Sequence, residues 1–108
     1  MDIGIDEIWF HDSEVHRVVE NSQSDELGFE VMYPVDWENN EFAERTIVFT
    51  DVLEYTVFEG PFEGRPTILQ VIQTGYDNNR VSLRIETNAG DRALWCKGVQ
   101  LRNGWGAV

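Results

Sequence analysis

The chain has 108 residues, enough for one domain with a single core and too few for two. Its 42% hydrophobic and 12% aromatic residues, interleaved with polar ones, place it among globular chains and exclude a disordered one. A net charge of -12 with only eight Lys and Arg argues against a nucleic-acid-binding face; such acidity serves solubility in the first place and otherwise suits a basic partner.

In chain order, Asp2-Ile3-Gly4-Ile5-Asp6-Glu7-Ile8-Trp9-Phe10 reads as a short edge strand or an extended lead-in, its alternation broken once between Ile5 and Ile8. His11-Asp12-Ser13 is a polar break, and the β-branched run Glu14-Val15-His16-Arg17-Val18-Val19 predicts the first firm strand. After the turn-rich Asn21 to Asp25, Leu27, Phe29, Val31 and Tyr33 recur at period two, which puts Leu27, Phe29 and Val31 in the core. Pro34 is expected to stop that strand, and Asp36 to Glu41 to form a polar loop before a strand from Phe42 to Phe49. Thr50-Asp51 marks a bend, and Val52 to Phe58 is a further strand.

Glu59 to Pro66, with two Gly and two Pro, is the main loop. Beyond it come a strand from Thr67 to Gln73, a turn at Gly75-Tyr76-Asp77-Asn78-Asn79, and an alternating strand carrying Val81, Leu83 and Ile85. A hairpin turn at Asn88-Ala89-Gly90-Asp91 leads to one last strand, Ala93 to Leu101.

The chain also repeats itself in residue class. Val15-His16-Arg17-Val18-Val19 matches Ile68-Leu69-Gln70-Val71-Ile72, and Leu27, Phe29 and Val31 match Val81, Leu83 and Ile85. Arg45 to Val52 matches Arg92 to Val99, each reading as a buried strand that runs into a bend at a small or polar pair, Thr50-Asp51 and Lys97-Gly98. Two three-stranded antiparallel units, at about 13–53 and 66–101, are each too small to bury an apolar face alone. Packing them together predicts an all-β antiparallel sandwich or barrel of about seven or eight strands spanning residues 1–108 as one domain. Its core is expected to hold Val15, Phe29, Val31, Ile47, Phe49, Ile68, Val71, Leu83, Ile85 and Leu94.

Chemical signatures are sparse. His11, Asp12, Glu14 and His16 form the one polar cluster that could hold a metal ion or do acid–base work, since Asp12, Glu14 and His16 would share a strand face. A strand with its polar side in water gives the same letters, and no metal or other cofactor is expected. Ser13 beside His11 and Asp12 lacks the strained turn of a nucleophile, and Gly60 and Gly64 do not make a phosphate loop. Cys96 can form no internal disulfide and reads as an inert core thiol, which fits a reducing compartment; a cytoplasmic location is the default. No apolar run approaches the length of a membrane span, so no membrane association is expected. Trp37, Phe62 and Trp105 stand in loop or tail stretches, where aromatics either anchor partners or plug sandwich ends.

The Trp9-Phe10-His11-Asp12-Ser13-Glu14-Val15 stretch, the later Ile47-Val48-Phe49-Thr50-Asp51-Val52, and the hairpin Glu86 to Asp91 before Cys96-Lys97-Gly98-Val99 carry a resemblance. Together they resemble a group of small, mostly uncharacterised bacterial proteins opening with Phe-His-Asp-Ser or Phe-His-Asp-Ala, some assigned as immunity proteins of polymorphic toxin systems. The resemblance implies a small β-rich protein without catalytic residues, and it carries over no functional position.

The charge is split along the chain. Residues 1–64 hold 17 acids against Arg17 and Arg45, whereas residues 65–108 hold three acids against six bases. These observations favour a non-enzymatic interaction module whose Asp36, Trp37, Glu38, Glu41 and Phe62 meet a basic protein. A ligand-binding or enzymatic domain using His11, Asp12, Glu14 and His16, or a subunit of a homo-oligomer, are the alternatives.

Overall fold

The computed structural model describes residues 8–106, which fold into eight antiparallel strands and no helix. They are β1 (Glu14–Asn21), β2 (Glu26–Asp36), β3 (Glu41–Thr50), β4 (Leu53–Glu59), β5 (Ile68–Asp77), β6 (Arg80–Thr87), β7 (Gly90–Cys96) and β8 (Gly98–Asn103). Two four-stranded sheets result, ordered β1-β2-β3-β8 and β4-β7-β6-β5. The architecture is a β-sandwich with a radius of gyration of 13.2 Å.

Period-two alternation accounts for the packing. Leu27, Phe29 and Val31 of β2 and Val81, Leu83 and Ile85 of β6 all face inward and are buried. Ile47, Phe49, Ile68, Leu94 and Val15 complete the expected core, with Val71 partly buried at its margin and Cys96, Phe10 and Val99 added to it. Phe29 meets Phe49 edge to face, with ring centroids 5.5 Å apart and planes at 77°, the arrangement the ring quadrupoles favour.

Along one side the two sheets are joined by backbone hydrogen bonds between β1 and β5. Asp12 N, Val15 N and Ile68 N donate to Ile68 O, Pro66 O and Ser13 O, stitching the start of β1 to the start of β5. Toward the opposite side, where β4 and β8 are the edges, Arg92 of β7 bonds to β4 of its own sheet and reaches the facing sheet at Phe29. Its guanidinium makes two 2.7 Å bonds to Glu59, a third of 3.0 Å to the Tyr55 hydroxyl, and lies 5.6 Å from the Phe29 ring centroid of the facing sheet.

Both sheets gain a strand at a bend. After Thr50 the chain leaves the first sheet to form β4, and at Lys97 it leaves the second to form β8. The bends touch: Lys97 N donates to Thr50 O, and Gly98 approaches so closely that a Cβ there would stand 2.8 Å from Thr50 Oγ1. β1-β2-β3 and β5-β6-β7 are each three consecutive antiparallel neighbours; β1 is bulged at His16, and β5 at Leu69 and at Thr74.

Four expectations need correction. β2 does not stop at Pro34 but runs on to Asp36. At Pro34 it pairs with Phe42 of β3 and has no partner on β1, whose pairing ends at Met32, so a residue without an N–H is tolerated there. The stretch Gly75-Tyr76-Asp77 is strand, and the turn is Asn78-Asn79 alone, both at positive φ (53° and 63°) as a two-residue hairpin loop requires. Ala93 to Leu101 is two strands in different sheets. Ile8 to Phe10 is irregular rather than strand, though Phe10 is buried; the remainder of that expected strand lies outside the described residues.

Candidate interaction surface

The β2–β3 hairpin outruns its neighbours and ends in the tip Trp37–Asn40. Asp36 holds the tip: its Oδ1 accepts from Asn39 N at 3.3 Å and its Oδ2 from Asn39 Nδ2 at 2.7 Å. Asn40, at φ 54°, lets the chain return, a conformation Asn tolerates because its short side chain bonds locally. Trp37 is consequently left 66% exposed, with Val35 and Phe42 exposed beside it on the strands. Glu38 and Glu41 are exposed as well, and with Asp36 they form no ion pair among the described residues.

The positive C-terminal part neutralises little of this. Arg92 pairs with Glu59 and Arg102 with Glu26, but Arg84 pairs with its own strand neighbour Glu86 and Arg80 Nε is bonded to the Asp51 carbonyl. Arg17 serves Glu30 on the outer face of the first sheet, through bonds of 2.8 and 3.0 Å. The tip therefore keeps its negative charge uncompensated by side chains of the described chain. Phe62 is exposed in the loop between β4 and β5, which leaves the sandwich at the same end as the hairpin, since Thr67 bridges Glu14 and Glu14 pairs with Met32. It makes no ring contact with Trp37.

The polar cluster does not assemble. His11 Nδ1 donates to Leu69 O at 2.8 Å, and His11 lies in a depression with Trp9 and Gln73. Asp12, in a turn at φ 69° and not on the strand, lines a second depression with Glu14, Met32 and Phe42. His16, the bulge residue of β1, faces a third with Arg17, Glu30, Arg65 and Trp105. The four side chains thus meet only as sequence neighbours, His11 Nε2 at 3.4 Å from Asp12 and His16 Nε2 at 2.7 Å from Glu14 without hydrogen-bond alignment. Among the described residues no three His, Cys, Asp or Glu side chains converge as a metal site needs.

Ser13 is fully buried, with its Oγ unpartnered, and is closed to any substrate. Cys96 is fully buried too, and burial pushes its thiol up to about 12. Trp105 is partly plug: its ring lies 4.9 Å from that of His16 and its Nε1 donates to Val31 O at 3.0 Å. Beside it Glu30, only 3% exposed, accepts from Arg17 and from Gly106 N, so the C-terminal stretch is strapped over the first sheet. The Arg17 hydrogen bond holds the Glu30 carboxyl below the usual range, against the opposing effect of burial.

Two members of the tip, Val35 and Phe42, are not identifiable from their letters. They read as ordinary strand residues, and the missing signal is that β1 ends before them and leaves the hairpin bare. Compared with known proteins, the chain matches no protein-family model and no curated protein.

Proposed function

We propose that the protein is a small acidic interaction module that binds a basic protein partner through the β2–β3 hairpin tip, as an immunity or inhibitor protein does. The observation that carries this reading is Trp37, an aromatic with two-thirds of its surface in water, framed by Asp36, Glu38 and Glu41 that no cation of the described chain pairs. Trp is the side chain most able to anchor an interface, and unpaired carboxylates around it steer a basic surface toward it before contact. Phe62, at the same end, widens the contact area. The ligand-binding or enzymatic alternative has less support, because His11, Asp12, Glu14 and His16 open into three separate depressions.

The test is kinetic. With a basic partner captured by affinity pull-down, the association rate should fall steeply as salt rises, since exposed charges more than about 8 Å apart are largely screened at physiological ionic strength. Reversing Asp36, Glu38 and Glu41 to Lys should slow association further, while Trp37→Ala should chiefly speed dissociation. A partner whose binding ignores salt, the reversals and Trp37→Ala alike would refute the assignment of this surface.

A further inference from the structure

A second concave site lies at the other end of the sandwich, one β3 length (~30 Å) from the hairpin tip. It is a cleft of about 230 Å³ lined by Leu53, Glu54, Asp77, Asn78, Arg80 and Trp95. Its floor follows from one row of the second sheet, in which Leu53, Trp95, Ser82 and Gly75 are successive cross-strand partners. Ser82 and Gly75 are small, and a Cβ at Gly75 would stand 3.6 Å from Trp95 Cη2, although Gly75 is two strands away. The indole must therefore lie along the sheet surface, over Ser82 and out to Gly75, with one face turned outward. Leu53 flanks it, and the β4 bulge brings Glu54 to the rim at φ 54°, a conformation rarely taken by a residue of this type.

The polar groups around the indole are mixed in kind. Glu54 and Asp77 offer acceptors, Asn78 offers both roles, and the Arg80 guanidinium offers donors beyond the Nε bonded to Asp51 O at 3.1 Å. No hydrogen bond from the side chains of Glu54, Asp77, Asn78 or Trp95 to another described residue forms. An anion would be opposed by two carboxylates, and a cation by Arg80. A neutral ring with adjacent hydroxyls suits all of them: each hydroxyl both donates to a carboxylate and accepts from guanidinium or amide, while its C–H face lies on the indole. The volume falls below the roughly 300–1,000 Å³ of clefts that enclose drug-sized ligands, so one ring fits and the rest of a longer ligand stays in water.

The geometry points to a saccharide-binding site, taking one pyranose ring flat on Trp95 with its hydroxyls held by Glu54, Asp77, Asn78 and Arg80. The ring can be a free monosaccharide or the end of a glycan chain. The site is independent of the hairpin tip.

The experiment follows the indole N–H resonances of the intact protein by NMR during titration with free glucose, galactose, mannose and N-acetylglucosamine, and with linear oligosaccharides of each. The Trp95 signal should shift and saturate with at least one of them, while that of Trp37 stays still. A response to oligosaccharides alone keeps the site and assigns it to glycan ends instead of free sugar. Asp77→Asn, an isosteric change at the exposed last residue of β5 that leaves the fold intact, should weaken binding about tenfold or more, as loss of a charge-assisted bond does. Trp95→Ala should abolish it. The inference is overturned if no sugar in the panel moves the Trp95 signal, if Asp77→Asn binds as well as the parent, or if arginine methyl ester shifts Trp95 as strongly as any sugar does.

Discussion

The Arg92–Glu59 pair joins neighbouring strands of one sheet and gives the sharpest test of what holds Arg92 against Phe29 of the other. Its side chains are 13% and 15% exposed, between the fully wet and the fully dry case. Surface pairs contribute roughly 0–1 kcal/mol, whereas deleting one partner of a buried pair costs about 3–5 kcal/mol because the other charge is stranded. Glu59→Gln removes the carboxylate charge and one of its two acceptors, leaving the guanidinium by the Phe29 ring with one amide oxygen and the Tyr55 hydroxyl, so a loss of about 2–3 kcal/mol is expected. A domain of this length has only about 5–15 kcal/mol in total, so the change is readily measured. Arg92→Met keeps an apolar stem against Phe29 while removing the charge, and the double variant should be more stable than the two single losses added together predict. Urea unfolding followed by tryptophan fluorescence supplies all four corners of the cycle, and a coupling of about 1–2 kcal/mol is expected. A coupling below about 0.5 kcal/mol would mean that water screens the pair, and the argument that Glu59 holds Arg92 against Phe29 would fail.

Other expectations are simpler. Phe49→Ala removes a fully buried ring from the Phe29 contact and should cost about 3–5 kcal/mol, while Phe58→Ala on the exposed outer side of β4 should stay within about 0.5 kcal/mol of the parent, both read from urea midpoints. Glu30 has a depressed folded-state pKa, so its stabilisation is present above the ordinary carboxylate value of 4.5 and is lost as pH falls through the folded value. Glu30→Gln should therefore be less stable than the parent at neutral pH and lose less on acidification, in urea midpoints measured across that range. Because burial lifts the Cys96 thiol to about 12, a thiol reagent at about pH 8 should modify it only at the rate of unfolding, and modification that is complete in folded protein would place Cys96 at the surface.

Much of the fold was legible because alternation is a strong signal when one face is buried. Leu27-Phe29-Val31 and Val81-Leu83-Ile85 each specified a strand and its inward side. What alternation cannot say is where a strand changes sheets. Lys97-Gly98 marks a bend in the letters within Ala93 to Leu101, but only the pairing of β8 with β3 shows that the chain changes sheets there. Pro34 and Gly75 have the letters of breaks, yet one sits where β2 has lost a neighbour and the other where an indole needs room. The acidic tip was legible as composition, with Trp37 out of place among polar residues. Glu30 was not, since nothing local distinguishes a carboxylate that Arg17 and the Gly106 amide enclose from one in water.

The bends at Thr50 and Lys97 have a further consequence, for assembly. Each sheet takes three strands from one half of the chain and its fourth from the other, so neither half can finish a sheet unaided. A cut in the exposed loop between Glu59 and Ile68 would yield fragments that each carry one stray strand and lack another. Such fragments should be poorly folded apart and should reconstitute when mixed, each lending its stray strand to the other's sheet. The same exchange makes folding wait on β8, the last strand in the chain, to close a sheet begun by β1, a long-range pairing of the kind that slows β-sandwiches relative to helical bundles of equal size.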